Sequence, residues 1–429
     1  MNFALIILWA AFFSMLFLSA PIAVVIALAS ALAILATGRE PLEIIATSMA
    51  QGVDSFALLA IPFFILSGMI MGKGAMARRL IELALALVRF LPGGLAYVNT
   101  VTCMLFGAIS GSAVAAVSSI GSFMIPQMRQ RGYDNDTAVA VTICSSTTGM
   151  LIPPSNIMIV YSVAVGGLSI GALFMAGILP GILVGLFLML SSWFIIRRKK
   201  MGAEGKFDVI LLLRAFKRAF LSLLLVVIVL GGILCGVFTA TESAVISVAY
   251  AFILEVIIYR DIKLSEIPEL LMKSAQTTGI VMLIIGASTA MSWVMTITNA
   301  PQEIARALMF FGENEFVLLL LINLLLLVVG MFMDMTPAVL IFTPILLPIV
   351  KELGMSEIHF GIMMIANLSI GLCTPPVGTC LFVGCGVGNA KMTTLAPKMV
   401  PYFLAMLAAQ ILITYVPWIS EGIPELLGM

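Results

Sequence analysis

The stretch Gly149-Met-Leu-Ile-Pro-Pro154, in one-letter code GMLIPP, is followed 222 residues later by GLCTPP at Gly371–Pro376. The same ungapped shift pairs further residues, which are Ser112 with Asp334, Pro126 with Pro348, Gly132 with Gly354, and Gly166 with Gly388. A fixed shift that aligns glycines and prolines over a long segment indicates two copies of one structural unit. The chain is therefore predicted to contain two related halves.

The composition is that of an integral membrane protein. Of the 429 residues, 62% are hydrophobic and only 10% are charged, which is too little polar surface for a soluble protein of this size. Each membrane-spanning helix needs about 20 apolar residues, so we expect an all-α, multi-pass protein with roughly ten to twelve spans. The net charge of +1 excludes a broadly basic protein that binds nucleic acid, and the expected surroundings are membrane lipid.

Two apolar runs, 96–128 and 316–350, are too long for one straight membrane-spanning helix. Their middles contain residues that favour a turn, Gly111 and Ser112 in the first run and Asp334 and Pro337 in the second. Each run is therefore predicted to form a re-entrant helical hairpin, whose turn is buried in protein.

Basic residues predict the orientation of the chain, because short cytoplasmic loops retain lysine and arginine. The densest basic cluster lies at 197–218, and we expect this linker to be cytoplasmic. Counting spans from it places Arg131 and Arg260 on the same side, while the second hairpin opens to the opposite face. The halves are then inverted repeats, which is a transporter architecture. The segment 75–90 mixes arginines with leucine and alanine, which suits a helix in the cytoplasmic interface.

These features divide the chain into five predicted segments. They are N-terminal scaffold helices with an interfacial arm (1–95), a first transport repeat made of a hairpin and a broken helix (96–196), a cytoplasmic basic linker (197–218), second scaffold helices (219–315), and a second transport repeat (316–429).

The repeated motif also predicts chemistry, because proline has no N–H group. In a helix, Pro153 and Pro154 would leave the carbonyls of Gly149 and Met150 without donors. The second copy would do the same to Gly371 and Leu372. Bare carbonyls inside a membrane are costly, so together with nearby hydroxyls they suit a hard cation such as Na⁺. The alternative is a pair of proline-kinked helices in which serine and threonine side chains satisfy the freed carbonyls.

Asp334 is the acidic residue well inside a long apolar run, and an intramembrane carboxylate indicates function. Its partner in the repeat, Ser112, is neutral, so the charge is expected to serve a cation or the substrate pocket. Lysine and arginine are missing from these apolar cores. An anionic substrate would then be held by helix N-termini, hydroxyls and bound cations. The single histidine, His359, is isolated and expected to be interfacial, which argues against an intramembrane enzyme.

Two hairpins and two Gly-x-x-x-Pro-Pro breaks in a chain of this length resemble the large membrane subunit of tripartite ATP-independent periplasmic (TRAP) transporters. The resemblance covers essentially the whole chain. It implies a protein of the bacterial inner membrane that imports an organic acid with Na⁺ by an elevator movement. The acid would be sialic acid, which we favour slightly, or a C4-dicarboxylate, delivered by a periplasmic substrate-binding protein. A small four-helix membrane subunit is implied as well, as a separate polypeptide.

The resemblance also implies two or more bound Na⁺ ions, with Na⁺ as the only metal, and a nearby substrate site. The first sodium site would involve Ser110, Ser112, Gly149, Met150 and Pro154, and the second Asp334, Thr336, Gly371, Leu372 and Thr374. Substrate would contact Ser155, Asn156 and Asp334. The alternative function is that of a dicarboxylate/sodium symporter of similar inverted-repeat design that needs no binding protein.

Overall fold

The computed structural model describes residues 3–18, 20–38, 40–88, 90–91, 93–199, 208–300, 302–303, 314–375 and 378–429. All regular elements within these ranges are helical. Eight of the described helices are long and apolar enough to cross a membrane, and six shorter apolar helices accompany them. The predicted all-α, multi-pass fold is confirmed. Several apolar segments are shorter than a full span because they are halves of broken helices.

The first scaffold segment contains five helices. They are α1 (Phe3–Phe17), α2 (Ile22–Thr37), α3 (Glu43–Val53), α4 (Ala60–Lys73), which follows a 3₁₀ turn at Phe56–Leu59, and α5 (Ala75–Val88). Helix α5 buries its apolar face, while Arg78 and Glu82 are exposed and Arg79 is half-buried, as expected for the amphipathic arm. The end of that arm, Arg89, lies outside the described residues.

The first repeat begins with the predicted hairpin. The hairpin consists of α6 (Gly94–Ser110) and α7 (Ala113–Gln130). The rest of the repeat consists of α8 (Asn135–Ser146), which continues into a 3₁₀ turn at Thr147–Met150, α9 (Asn156–Val165) and α10 (Ile170–Lys199). The break between α8 and α9 coincides with Pro153 and Pro154, where the missing N–H groups end the helix.

The second scaffold segment follows. It consists of α11 (Val209–Leu234), α12 (Ala240–Phe252) with a π-helical extension at Ile253–Ile258, a 3₁₀ turn at Leu264–Glu266, and α13 (Ile267–Ile297). The expected basic linker is helical at both ends, because α10 runs to Lys199 and α11 starts at Val209. Lysine and arginine side chains can leave the membrane while their helix continues, which explains why a basic run did not mark a loop. Residues 200–207, which include Lys200 and Lys206, lie outside the described ranges.

The second repeat reproduces the first. Its helices are α14 (Glu315–Phe332), α15 (Met335–Glu352), α16 (Glu357–Gly371), α17 (Thr379–Gly388) and α18 (Met392–Tyr415), followed by a terminal α19 (Trp418–Leu426). The shift of 222 residues carries α7 onto α15 without adjustment. It also pairs two glycines that end a helix in the left-handed region, Gly132 with φ 85° and Gly354 with φ 78°.

The halves interlock reciprocally. Helix α7 of the first repeat packs against α17 of the second, and α15 of the second packs against α9 of the first. The repeat relates α7 to α15 and α9 to α17, so exchanging the two copies converts the first contact into the second. Contacts that are exchanged in this way are expected for two halves related by a two-fold axis. Together with the positions of the basic residues, this supports the expected axis in the membrane plane.

Charged residues of the scaffold gather at one end of the bundle. Arg78 lies 2.5 Å from Asp261, Lys73 lies 2.9 Å from Glu266, and the Arg79 guanidinium lies 3.4 Å from the centre of the Tyr259 ring. Exposed pairs of this kind contribute about 0–1 kcal/mol each, so they indicate location more than stability. By the positive-inside rule, this end is expected to face the cytoplasm.

Candidate functional site

A cavity of about 220 Å³ lies where the two hairpin tips meet. Both repeats contribute to its wall, and so do α4 and α13 of the scaffold. Seven of the residues predicted for the sodium and substrate sites line it, namely Ser110, Ser112, Met150, Asn156, Asp334, Thr336 and Leu372. The structure therefore brings together in one place residues that are up to 262 positions apart in the sequence.

The two hairpin tips have equivalent residues at their turns. Ser112 is the N-cap of α7, and its Oγ accepts a hydrogen bond from the Ala115 N–H at 3.3 Å. Asp334 is the N-cap of α15, but its side chain makes no capping hydrogen bond. The Asp334 side chain is exposed and lines the cavity. The predicted pairing of Ser112 with Asp334 thus corresponds to two helix starts, of which one carries a carboxylate.

The first tip lies directly against the first break. Gly111 has φ 58°, a left-handed conformation that favours glycine. A Cβ atom on it would lie 3.1 Å from the Pro154 carbonyl oxygen and 3.2 Å from the Asn156 backbone nitrogen. Pro154 itself does not line the cavity, but its carbonyl lies beside the turn that does.

Glycine pairs bring each hairpin onto its own broken helix. A Cβ atom on Gly107 of α6 would lie 2.0 Å from the Gly149 Cα, and a Cβ atom on Gly371 would lie 2.5 Å from the Gly330 Cα in α14. The motif glycines are therefore contact points between two backbones. Gly149 and Gly371 stand behind the cavity wall and hold the tips in position.

At the first break, one of the two freed carbonyls accepts a hydrogen bond from a residue of the same break. Ser155 is fully buried, and its hydroxyl donates a hydrogen bond of 2.7 Å to the Met150 carbonyl. For the Gly149 carbonyl, the described residues supply no such donor. Ser155 was predicted to contact substrate, and its side chain instead supports the break from behind the cavity.

The second break satisfies both carbonyls. The Thr374 N–H donates to the Gly371 carbonyl at 2.9 Å, and the Cys380 N–H donates to the Leu372 carbonyl at 3.1 Å. The Thr374 hydroxyl donates to the Ile370 carbonyl at 2.8 Å. The expectation of bare carbonyls is thus wrong for Met150, Gly371 and Leu372, because the chain turns at each break and brings new donors back. Pro376 lies outside the described residues.

Two polar atoms in the cavity wall have no hydrogen-bond partner within the described part of the chain. They are the Oγ of Ser110, a residue that is 4% exposed, and the Oδ1 of Asn156. A buried oxygen without a donor costs about 1–3 kcal/mol, so these atoms are available to a bound ion or substrate. Both residues line the same cavity as Asp334.

Residues of the scaffold complete the cavity, and sequence reasoning missed them. Gly68 of α4 packs on the first hairpin, since a Cβ atom on it would lie 3.0 Å from the Ser110 Cα. Thr277 of α13 also lines the cavity, and its hydroxyl donates a hydrogen bond of 3.0 Å to the Lys273 carbonyl in the same helix. Neither residue belongs to the Gly-x-x-x-Pro-Pro motif, and a single glycine or threonine in an apolar helix carries no distinctive signal.

His359 is buried in the helix bundle and has a structural role, while its expected position at the depth of the membrane interface stays a prediction. The residue is 1% exposed, its Nε2 lies 3.1 Å from the Thr414 carbonyl, and its Nδ1 lies 3.2 Å from the Ser420 hydroxyl. Across the described residues, no three histidine, cysteine or acidic side chains come together in a way that could hold a metal ion.

Comparison with known proteins identifies the family. Residues 9–419 match the family model described as "Tripartite ATP-independent periplasmic transporter, DctM component". The chain belongs to this family. It is therefore the large membrane subunit of a TRAP transporter, a multi-pass protein of the inner membrane, and the resemblance seen in the sequence is confirmed.

Similar proteins span nearly the whole TRAP large subunit. A Salmonella typhimurium protein named "Uncharacterized protein YgiK" is 45% identical and covers 99% of this chain and 98% of its own length. The C4-dicarboxylate TRAP transporter large permease protein DctM of Rhodobacter capsulatus is 38% identical and covers 91% of this chain and 92% of its own length. The sialic acid TRAP transporter large permease protein SiaM of Vibrio cholerae is 37% identical over 91% of each. These two relatives are named as transporter permeases and not as enzymes, which confirms that expectation.

A solved structure supports the fold of the TRAP large subunit. The YdaH transporter of Alcanivorax borkumensis superimposes with a TM-score of 0.66 over 89% of each chain, at 14% sequence identity. At this identity the likeness concerns the arrangement of helices alone.

Proposed function

We propose that this TRAP large subunit imports a small organic acid into the cytoplasm together with Na⁺. The observation that carries the proposal is the cavity shared by both hairpin tips, which is lined by Asp334, Ser110 and Asn156. Large subunits of this family work with a substrate-binding protein and a small membrane subunit. We propose the same two partners here, with the binding protein delivering the acid from the periplasm.

The oxygen atoms around the first tip support a sodium site. The Gly149 carbonyl and the Ser110 hydroxyl have no partner among the described residues, and the Pro154 carbonyl lies against the turn at Gly111. A set of carbonyl and hydroxyl oxygens suits a hard monovalent cation. The second site would use the Asp334 carboxylate and the Thr336 hydroxyl, which share the opposite tip.

The carbonyls of the second break can still take part. A carbonyl oxygen has two lone pairs, so a hydrogen bond from Thr374 or Cys380 leaves one of them free for an ion. These carbonyls would then be weaker ligands than Asp334. The two proposed sites differ in this way, since the first depends on neutral oxygens and the second on a charge.

The charge of the cavity suggests how Na⁺ and substrate are coupled. Its described lining contains one carboxylate, Asp334, and no lysine or arginine. An organic anion entering this cavity alone would meet a like charge, which disfavours binding. Two bound Na⁺ ions would reverse the sign. The N-termini of α7, α9 and α15 then add favourable dipoles for a carboxylate.

The size of the cavity favours a small acid. Pockets for drug-sized ligands enclose about 300–1,000 Å³. At about 220 Å³, this cavity suits a C4-dicarboxylate better than the larger sialic acid. We therefore propose a compact organic acid as substrate.

The contact between cavity and scaffold supports an elevator movement. Helices α4 and α13 close one side of the cavity, and their contribution includes the small residues Gly68 and Thr277. The other residues that these helices contribute, Ile61, Ile65, Met69 and Val281, are apolar, so within the described lining no charged group of the scaffold would hold the two repeats in place as they slide. In this proposal α6–α10 and α14–α18 move, while α1–α5 and α11–α13 stay fixed.

Uptake by proteoliposomes tests the function. The chain and its small subunit are reconstituted together, and the binding protein is supplied with a C4-dicarboxylate or with sialic acid. We expect uptake only with an inward Na⁺ gradient, and loss of uptake when K⁺ replaces Na⁺ at constant pH. Robust uptake driven by a pH gradient alone would contradict the proposal, and uptake without the binding protein would favour the symporter alternative.

A further inference from the structure

We propose that a groove at the cytoplasmic end of the bundle binds the phosphodiester headgroup of an anionic phospholipid. The groove encloses about 640 Å³ between α5, α7 and α11. It lies apart from the cavity of the proposed transport function and shares no lining residue with it.

The groove carries excess positive charge. Three arginines line it, Arg131 at the end of α7 and Arg214 and Arg218 on α11, together with one acid, Glu82 of α5. Arg218 lies 3.3 Å from Glu82. Within the described part of the chain, no carboxylate pairs with Arg131 or Arg214. Two guanidinium groups are thus left for an anion, and their planar donors fit a phosphate.

Amide groups add further donors. Gln127 and Gln130 lie on the last turns of α7 and line the groove beside Arg131. A phosphodiester has only acceptor oxygens near its charge, so amide N–H groups and guanidinium groups can bind it together. This combination of donors is what a phosphate headgroup requires.

The remaining wall of the groove is apolar, which selects a lipid over a soluble phosphate. Leu85 and Ala86 of α5 and Leu211 and Ala215 of α11 form this wall. Ala86 and Ala215 also belong to a small apolar cluster between these two helices that is separate from the main core. An acyl chain would bury apolar area here, whereas free phosphate or glycerol phosphate would gain nothing from it.

The groove also lies at the membrane depth of the lipid headgroups and is open to the bilayer. Its arginines lie at the end of the bundle where the scaffold ion pairs gather, which is the cytoplasmic end. Next to them α11 exposes Leu213 and Phe216, which are 63% and 47% exposed. Basic grooves between helices at the cytoplasmic surface are suited to anionic lipid headgroups. Because Arg131 belongs to the first hairpin and Arg214 to the scaffold, one lipid would touch both.

Native mass spectrometry of the delipidated full chain in detergent tests the proposal. Phosphatidylglycerol and phosphatidylcholine of the same acyl chains are titrated in parallel, and tighter binding of phosphatidylglycerol is expected. Each arginine should contribute about fivefold, so the double variant Arg131→Gln/Arg214→Gln should weaken phosphatidylglycerol binding about 25-fold. The matched control is Arg129→Gln/Lys217→Gln, which removes two charges from the same helices outside the groove and should weaken binding by less than about fivefold, because these charges act only at a distance.

A variant that is expected to strengthen lipid binding complements the arginine variants, because a gain in affinity cannot be caused by a loss of protein stability. Glu82→Gln removes the acid that competes for Arg218, and it should tighten phosphatidylglycerol binding by about fivefold. Equal binding of the two lipids, or unchanged binding in the double arginine variant, would overturn the proposal. Displacement of the lipid by millimolar glycerol 3-phosphate would overturn the lipid assignment, because it would show a site for soluble phosphates.

Discussion

Gly107 and Gly149 meet backbone to backbone, so closely that a Cβ atom on Gly107 would lie 2.0 Å from the Gly149 Cα. In the second repeat Gly330 and Gly371 also meet, and a Cβ atom would lie 2.5 Å from the facing Cα if it were added to Gly371 and 3.1 Å if it were added to Gly330. These contacts explain why the motif begins with glycine. They fix each hairpin tip against the helix break that it faces.

We expect Gly149→Ala and Gly371→Ala to abolish uptake, because the added methyl group must push two backbones apart. Overpacking of this kind costs about 1–3 kcal/mol and would displace the tips from the cavity. Gly330→Ala should retain partial uptake, since its contact is looser. Uptake in proteoliposomes and the thermal unfolding temperature of the purified chain are measured together.

The matched control for these glycines is Gly386→Ala in α17, where a Cβ atom would meet nothing within 4 Å. It should leave uptake unchanged. Wild-type uptake in both Gly149→Ala and Gly371→Ala would show that the backbones can separate without cost, and the site geometry would need revision.

The sequence allowed the hairpins and breaks to be predicted because glycine and proline impose their constraints locally. Proline removes an N–H group wherever it stands, so the break after Gly149 could be placed without knowing the fold. The shift of 222 residues then identified Ser112 and Asp334 as equivalent, and both are indeed helix N-caps. Local rules were sufficient for these features.

The partners of the freed carbonyls could not be predicted in the same way. The Met150 carbonyl accepts from Ser155, and the Leu372 carbonyl accepts from Cys380, eight residues further along the chain. The donor that reaches each freed carbonyl depends on the path of the chain after the prolines. The contribution of Gly68 and Thr277 was equally hidden, because packing between distant helices leaves no pattern in either segment.

Ser155 and Asn156 should respond differently to substitution, although both were predicted to contact substrate. Ser155→Ala removes the hydrogen bond to the Met150 carbonyl and leaves a buried acceptor without a donor, which should lower stability by about 1–3 kcal/mol. Asn156→Ala should instead raise the substrate KM, because Asn156 lines the cavity and its Oδ1 has no hydrogen-bond partner among the described residues. Thermal unfolding and concentration-dependent uptake separate the two effects. A raised KM in Ser155→Ala with unchanged stability would reassign Ser155 to the substrate.

Glu255 should be important for stability and not for transport. The residue is fully buried, and its carboxylate accepts hydrogen bonds from the N–H groups of Ala75 at 2.8 Å and Met76 at 2.7 Å, the first residues of α5. A hydrogen bond to a charged group contributes about 1.5–3 kcal/mol, so Glu255→Gln should lower the unfolding temperature clearly. The comparison is Glu242→Gln, which disturbs only the exposed capping box of α12. An altered Na⁺ dependence in well-folded Glu255→Gln would contradict a purely structural role.

Asp334→Asn should weaken Na⁺ activation of uptake, because it removes the one carboxylate among the described residues that line the cavity while keeping the shape of the side chain. The side chain is exposed to the cavity and makes no capping hydrogen bond, so the change should leave the fold intact. If the carboxylate binds Na⁺, the half-saturating Na⁺ concentration should rise at least about tenfold, which corresponds to about 1.4 kcal/mol. The matched control is Glu352→Gln at the other end of α15, an exposed acid far from the tip. Uptake is titrated against Na⁺ at fixed ionic strength, with choline as the replacement ion. An unchanged Na⁺ curve together with an unchanged substrate KM in Asp334→Asn would remove the carboxylate from both proposed sites and leave the first tip as the only candidate for ion binding.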